Sequence, residues 1–187
     1  MAATANPHFD LQHQALSSLR QVQRVCLGLE VFQVVLSVVV LVLGYLSTSP
    51  DLARVFHMYT AMTYCFAAVF AHVVVYYVLM AMGRNVRSAY ATNPQNVNIW
   101  LVSATSKLKL KSLPFYALHA ATLLFNVLTA SVFSIAPSPL HKVAAVSAVV
   151  TGIMALVASF ISLKRNAEYL KMFVTTGGFS DAREHNI

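Results

Sequence analysis

Residues 143–163 read VAAVSAVVTGIMALVASFISL, a run of 21 residues that contains no Asp, Glu, Lys or Arg. As an α-helix, a run of this length rises about 30 Å, which matches the hydrocarbon thickness of a bilayer. In lipid, backbone polar groups must be paired inside the protein, and a helix pairs them within the segment itself. The stretch therefore predicts a membrane-spanning helix.

Three further apolar runs lie upstream. Residues 25–46 carry one charged side chain, Glu30, and residues 55–82 and 113–136 carry none. An open sheet cannot satisfy its backbone in lipid, and barrel strands would be short and alternating. The four runs therefore predict an all-α fold, a four-helix transmembrane bundle.

The segments around these runs complete the predicted organisation. A membrane domain covers residues 25–165 and encloses a polar loop at 83–112, with tails at 1–24 and 166–187. Apolar residues of the N-terminal tail fall at rough helical spacing, which favours an amphipathic helix there: Phe9, Leu16, Leu19 and Val22.

The overall composition excludes several protein classes. Of 187 residues, 58% are hydrophobic and only 10% are charged, whereas soluble domains carry roughly 25% charged residues. This excludes an ordinary soluble enzyme domain and a disordered chain. Two cysteines are too few for a disulfide scaffold.

The net charge of +7 reports orientation. Eleven Lys and Arg fall at the tails and the 83–112 loop: Arg20, Arg24, Arg84, Arg87, Lys107, Lys109, Lys111, Lys164, Arg165, Lys171 and Arg183. Only Arg54 and Lys142 fall on the other side. Because Lys and Arg accumulate on the cytoplasmic side, both termini are predicted to be cytoplasmic. The basic excess then indicates contact with anionic lipid headgroups rather than with nucleic acid.

The 83–112 loop contains an amphipathic pattern. Five residues recur at helical spacing: Val97, Trp100, Leu101, Ala104 and Leu108. One interpretation is an interfacial helix on the cytoplasmic leaflet, with Trp100, Lys107, Lys109 and Lys111 at the lipid interface. The other is a segment packed on the bundle.

Polar residues inside the spans are candidate functional residues, because ionisable groups are costly in lipid. Glu30 and His119 lie about 8–9 Å from the cytoplasmic ends of their spans, His72 lies about 15 Å deep, and Asn126 lies near the mid-bilayer. Three interpretations stay open. His72 and His119 could ligate a haem b from opposite faces, Glu30 and His119 could form a proton relay or ion site, or these groups could satisfy one another structurally.

Small residues form one face of the fourth span at steps of three and four: Ala144, Ala148, Gly152, Ala155 and Ser159. Such a face lets another helix approach closely. It is predicted to pack within the bundle, with an oligomer contact as the alternative.

Cys26 lies beside Arg24 at the cytoplasmic end of the first span. Juxtamembrane cysteines are sites of reversible palmitoylation, so Cys26 is a candidate for that modification. The alternative is a small apolar side chain in the core.

Catalytic and metal-binding motifs are absent from the sequence, including CxxC, HExxH and a Gly-rich phosphate loop. The sequence therefore predicts a protein that is not an enzyme and holds no metal.

Three stretches carry a family resemblance: residues 24–43 (RVCLGLEVFQVVLSVVVLVL), 115–133 (FYALHAATLLFNVLTASVF) and 142–165 (KVAAVSAVVTGIMALVASFISLKR). With four spans and cytoplasmic termini, the chain resembles the MARVEL-domain proteins, which include myelin-and-lymphocyte proteolipids, plasmolipin and physins. The 83–112 loop is longer than in the proteolipid branch, and the outer loops lack the cysteine pairs of occludin and the physins.

The resemblance implies a role in membrane-domain organisation or vesicle trafficking, at the plasma membrane or in vesicles. Its partners would be lipids and other membrane proteins or a second copy. One alternative is an accessory subunit of a larger complex such as a respiratory assembly, with or without haem. Another is a small channel or transporter. Mitochondrial and endoplasmic reticulum membranes are the alternative locations.

Overall fold

The computed structural model describes residues 7–46, 52–92, 94–95, 97–132 and 139–175. They form four helices: α1 (Pro7–Leu46), α2 (Leu52–Thr92), α3 (Ile99–Val132) and α4 (Pro139–Thr175). Each helix is long and apolar enough to cross a membrane. The predicted all-α, four-helix transmembrane fold is confirmed.

The helices run up and down in chain order. Each packs against its neighbours, α1 packs against α4, and α2 meets α4 across the bundle. The Gln23 side chain, in the first half of α1, donates a hydrogen bond to the carbonyl of Leu163 in the second half of α4. The start of α1 and the end of α4 therefore share one end of the bundle, which we call the cytoplasmic end because of its Lys and Arg content.

Three apolar clusters divide the core along the bundle axis. The outer apolar cluster contains Val40, Tyr64, Ala68, Leu123 and Ala148. The middle apolar cluster contains Cys26, Val75, Leu79, Leu108, Tyr116, Ala155 and Leu163. The cytoplasmic apolar cluster contains Met82, Val86, Val97, Leu101 and Phe173. Polar side chains lie between the outer and middle clusters.

The helices continue well beyond the predicted spans. The 41 residues of α2 extend about 60 Å, twice the hydrocarbon thickness of a bilayer. Most of the predicted 83–112 loop is therefore helical, because α2 ends only at Thr92 and α3 begins at Ile99. This extension has a core of its own in the cytoplasmic apolar cluster.

The amphipathic pattern of the 83–112 segment is helical, but it does not form a separate interfacial helix. It is the first part of α3, which continues into the third span and contains Pro114 where the two parts meet. Val97, Leu101 and Leu108 are buried against the other helices. Burying these three side chains in the bundle removes the apolar stripe that an interfacial helix would need.

At the N-terminal end, α1 also joins tail and span in one helix from Pro7. The predicted side-chain pattern at Phe9 and Leu16 lies outside the described side chains. Residues 1–6 and 176–187, together with most of the two predicted outer loops, lie outside the described residues altogether.

The small-residue face of α4 points into the bundle, and all five of its residues are buried. Ala68 and Ala71 of α2 are fully buried in the same core. Side chains this small allow α2 and α4 to approach across the diagonal. In the structure, the small-residue face of α4 therefore packs against other helices of the same chain.

Candidate functional site

A chain of polar side chains crosses the centre of the bundle. The Nδ1 atom of His72 lies 3.0 Å from Oε1 of Glu30, and its Nε2 lies 2.7 Å from Nδ1 of His119. The Nε2 atom of His119 lies 2.8 Å from the hydroxyl of Tyr64. We call these residues and their direct neighbours the polar cluster: Glu30, Gln33, Tyr64, His72, Tyr116, His119 and Ser159.

Helical spacing explains how the polar cluster forms. Glu30 and Gln33 are three positions apart on α1, and Tyr116 and His119 are three apart on α3. Residues three or four positions apart share a helix face. Since all four side chains are buried, these faces meet inside the bundle.

Glu30 is completely buried and receives donors from three helices. Oε1 accepts hydrogen bonds from His72 and from the Ser159 hydroxyl, at 3.0 Å each. Oε2 lies 3.5 Å from Nε2 of Gln33. A buried carboxylate without partners would be strongly destabilising. These donors therefore tie α1 to α2 and α4.

The order of donors and acceptors along the chain depends on its proton content. With Glu30 ionised and both histidines neutral, Tyr64 donates to His119, His119 Nδ1–H donates to His72, and His72 Nδ1–H donates to Glu30. The cluster then carries one negative charge.

One added proton reverses this order. The proton is shared between Glu30 and Nδ1 of His72, His72 Nε2–H donates to His119, and His119 Nε2–H donates to the Tyr64 oxygen. Tyr64 then directs its own proton to the Ala148 carbonyl, 3.5 Å away. The same heavy-atom positions thus accommodate a charged and a neutral form.

Further contacts hold the His72 ring in place. The Tyr116 ring stacks on it with centroids 4.7 Å apart and planes at 15°. The Tyr116 hydroxyl lies 2.8 Å from the Ser159 hydroxyl, so it also contacts the group that donates to Glu30. The orientation of His72 is therefore set from α1, α3 and α4 together.

Gly152 of α4 brings its backbone close to the polar cluster. A Cβ atom at this position would lie 3.1 Å from Nε2 and 3.2 Å from Cε1 of His119. The side chain of any other residue would push the imidazole that is hydrogen-bonded to Tyr64. The glycine therefore makes room for the ring.

The two histidines do not fit a haem ligated between them. A porphyrin has to lie between its two axial nitrogens, whereas the facing nitrogens of His72 and His119 are within hydrogen-bond distance. Their other ring nitrogens face Glu30 and Tyr64. In the described part of the chain, no three His, Cys, Asp or Glu side chains converge as metal ligands.

Other predicted residues lie away from the polar cluster. Asn126 is half-buried farther along α3, and its Oδ1 has no hydrogen-bond partner among the described residues. Cys26 is 1% exposed in the middle apolar cluster. This burial favours the alternative interpretation of Cys26, a small apolar side chain in the core, while palmitoylation stays a prediction.

The interface residues are distributed around the cytoplasmic end. Trp100 is 53% exposed, and its ring meets Tyr169 edge-on. Lys107 and Lys111 are exposed, and Lys109 is half-buried. Lys109 lines a cleft between α2 and α3 with Arg84 and Arg87.

Sequence reasoning did not single out Tyr64, Gln33, Tyr116 or Ser159 as partners of the ionisable residues. A signal was present, because each lies on the buried face of its helix. Gln33 and Tyr116 are each three positions from a flagged residue, and Tyr64 is eight from His72. Asn166 was also missed; it is 1% exposed, and neither of its amide atoms has a hydrogen-bond partner among the described residues.

Comparison with known proteins finds no match to a family model, a curated protein or a solved structure.

Proposed function

We propose that this integral membrane protein organises membrane domains or takes part in vesicle trafficking through lateral contacts, without catalysing a reaction. Three ionisable side chains inside the membrane, Glu30, His72 and His119, are turned inward, and His72 bonds to both of the others. Its outward surface consists of apolar side chains along the spans and basic residues at the cytoplasmic end. Lipids and neighbouring proteins are the partners that such a surface suits.

The observation that carries this proposal is an exposed ridge on α2. Six large side chains follow one another at steps of three and four: Tyr59, Met62, Phe66, Phe70, Val73 and Tyr77. Phe66, the most exposed, is 74% exposed. We call this surface the α2 ridge. Aromatic and Met side chains are enriched where proteins contact one another, so the ridge supports lateral association.

The test is reconstitution of the labelled protein in giant vesicles with coexisting ordered and disordered lipid phases. We expect clustering, by energy transfer between labels, together with enrichment in one phase. The double variant Phe66→Leu/Phe70→Leu should reduce both. Its matched control is Phe125→Leu/Phe160→Leu, which makes the same change at exposed positions of α3 and α4.

Uniform distribution of the wild-type protein would contradict the organising role. Equal loss in the two double variants would contradict the role of the α2 ridge. In cells, we propose localisation to the plasma membrane or vesicles, which imaging of a tagged protein checks. Residence in the mitochondrial membrane and co-purification with a stoichiometric respiratory assembly would favour the accessory-subunit alternative.

The Glu30–His72–His119–Tyr64 chain favours a second candidate function, proton transfer along the polar cluster. Tyr64 would pass its proton to His119, His119 its Nδ1 proton to His72, and His72 its Nδ1 proton to Glu30. A new proton taken up by the Tyr64 oxygen balances the step. The apolar clusters on both sides limit access of water, so we expect a flux well below that of a water-filled pore.

Proton flux into liposomes with a trapped pH indicator tests this candidate. Glu30→Gln and Tyr64→Phe should each abolish the flux, because each removes one link of the chain. Tyr77→Phe is the matched control, since Tyr77 lies on the same helix but is 56% exposed. A flux equal to that of protein-free liposomes, or one unaffected by Tyr64→Phe, would rule the candidate out.

A further inference from the structure

A groove runs between α3 and α4 at the cytoplasmic end of the bundle. Its volume is about 350 Å³. The walls are apolar and include Phe115, Met154, Val157 and Ile161. Ala158 and Ser162 are buried at its base, and their small side chains make the surface concave. We call this surface the α3–α4 groove.

The groove has the depth of one leaflet. Along α4 its lining runs from Arg165 to Ile153, twelve positions that correspond to about 18 Å. Half of the hydrocarbon thickness of a bilayer is about 15 Å. The groove therefore reaches from the cytoplasmic interface to about the middle of the membrane, which is the depth of one acyl chain.

Two cations stand at the cytoplasmic end of the groove, Lys111 from α3 and Arg165 from α4. Among the described residues, Glu30 and His72 are the one acidic and basic pair within ion-pair distance, so neither groove cation is neutralised by a carboxylate there. Glu168, one turn beyond Arg165 on α4, makes no ion pair with it. Two unpaired cations beside an apolar groove match a molecule with a negative head and an apolar tail.

We propose that the α3–α4 groove binds an anionic phospholipid of the cytoplasmic leaflet. Its phosphate would lie between Lys111 and Arg165, because a guanidinium can bind phosphate oxygens through two parallel hydrogen bonds and an ammonium binds as a point charge. One acyl chain would lie along Phe115, Val157 and Ile161. The inference rests on the proposed lateral role, for which it names a lipid class and a site.

The purified full-length protein in a neutral detergent, titrated with phosphatidylglycerol or phosphatidylcholine, tests the proposal. Native mass spectrometry measures the bound lipid, and thermal unfolding measures the stabilisation that binding produces. We expect phosphatidylglycerol to bind more tightly than phosphatidylcholine. Lys111→Gln and Arg165→Gln should each weaken the anionic lipid about fivefold, since a cation near a membrane surface contributes on this scale.

Two matched controls carry the same charge change outside the groove. Lys107→Gln and Lys164→Gln each remove an exposed cation that lies no more than four positions from a groove cation. Neither Lys107 nor Lys164 lines the groove. Both should keep the wild-type affinity. Ala158→Leu fills the base of the groove without changing charge, so it should weaken both lipids, and unfolding without lipid shows whether this variant folds.

Equal affinity for the two lipids, or equal losses in Lys164→Gln and Arg165→Gln, would overturn the proposal. Binding of glycerol phosphate as tight as that of the whole lipid would also overturn it, because the acyl chain would then contribute nothing. Clustering of the wild-type protein in giant vesicles separates failure of this proposal from failure of the proposed function. Equal affinity of the wild-type protein for the two lipids, together with normal clustering, counts only against the groove.

Discussion

The polar cluster and the cytoplasmic apolar cluster hold overlapping sets of helices together by different interactions. In the polar cluster, Glu30, His72 and His119 must meet at fixed distances, because each has a specific donor or acceptor. In the cytoplasmic apolar cluster, Met82, Leu101 and Phe173 only have to fill space. Hydrogen bonds depend steeply on distance and angle, whereas dispersion contacts are non-directional.

This difference indicates a division of roles. A shift of α1 by a single turn would separate Glu30 from His72 and Ser159, so the polar cluster specifies the relative positions of the helices. The same shift in the cytoplasmic apolar cluster would exchange one apolar contact for another. We therefore expect substitutions to be tolerated according to which cluster they fall in, even where burial is the same.

The largest effect is expected for His72→Leu. The change leaves the buried Glu30 carboxyl without the His72 donor, and removing one partner of such a buried pair lowers the free energy of unfolding by about 3–5 kcal/mol. Unfolding of the protein in bicelles provides the measurement. The double variant Glu30→Leu/His72→Leu should recover part of the loss, because no uncompensated charge remains. A double variant as unstable as the sum of the single variants would contradict this account.

A smaller effect is expected for Gly152→Ala. The added Cβ lies 3.1 Å from His119 Nε2, and overpacking of this kind costs about 1–3 kcal/mol. The higher helix propensity of alanine offsets up to about 1 kcal/mol of this cost. Gly28→Ala is the control, because nothing lies within 4 Å of a Cβ added there. That change should be neutral or stabilise α1 by up to about 1 kcal/mol. If the melting temperature decreased equally in the two variants, this would argue against the close approach at Gly152.

The smallest effect is expected for Leu101→Met in the cytoplasmic apolar cluster. The side chains have similar volumes, so the free energy of unfolding should fall by less than about 1.5 kcal/mol. Gln33→Met makes a change of similar size in the polar cluster and removes the amide beside Oε2 of Glu30. The second change should be the more damaging in the same unfolding assay. The reverse order would show that directional bonds do not control the packing of these helices.

The fold could be predicted from the sequence because its cause is local. A run such as residues 143–163 is long and uncharged, and in lipid a helix is the structure that pairs its backbone. The continuation of α2 to Thr92 and of α3 from Ile99 was not predicted, because a helix outside the membrane carries the same polar residue types as a loop. Only the packing of Val97 and Leu101 against α2 and α4 distinguishes a helix from a loop here.

The candidate site could be predicted only in part. Glu30, His72 and His119 stand out because ionisable residues are rare in lipid. Their partners Tyr64 and Ser159 do not, because hydroxyl groups are common in spans and their roles depend on helix rotation. The burial of Cys26 depends in the same way on the rotation of α1. The sequence alone is compatible with Cys26 facing either the lipid or the core.

The proline inside α3 has a mechanical consequence. Pro114 lies where α3 enters the predicted third span. Because proline lacks a backbone N–H and its ring crowds the preceding turn, the two parts of α3 can bend relative to each other at this point. The part before the predicted third span extends about 20 Å, so a bend of about 10° would move its tip by about 3–4 Å. A bend at Pro114 would thus displace the basic surface at the cytoplasmic end while the third span keeps its position.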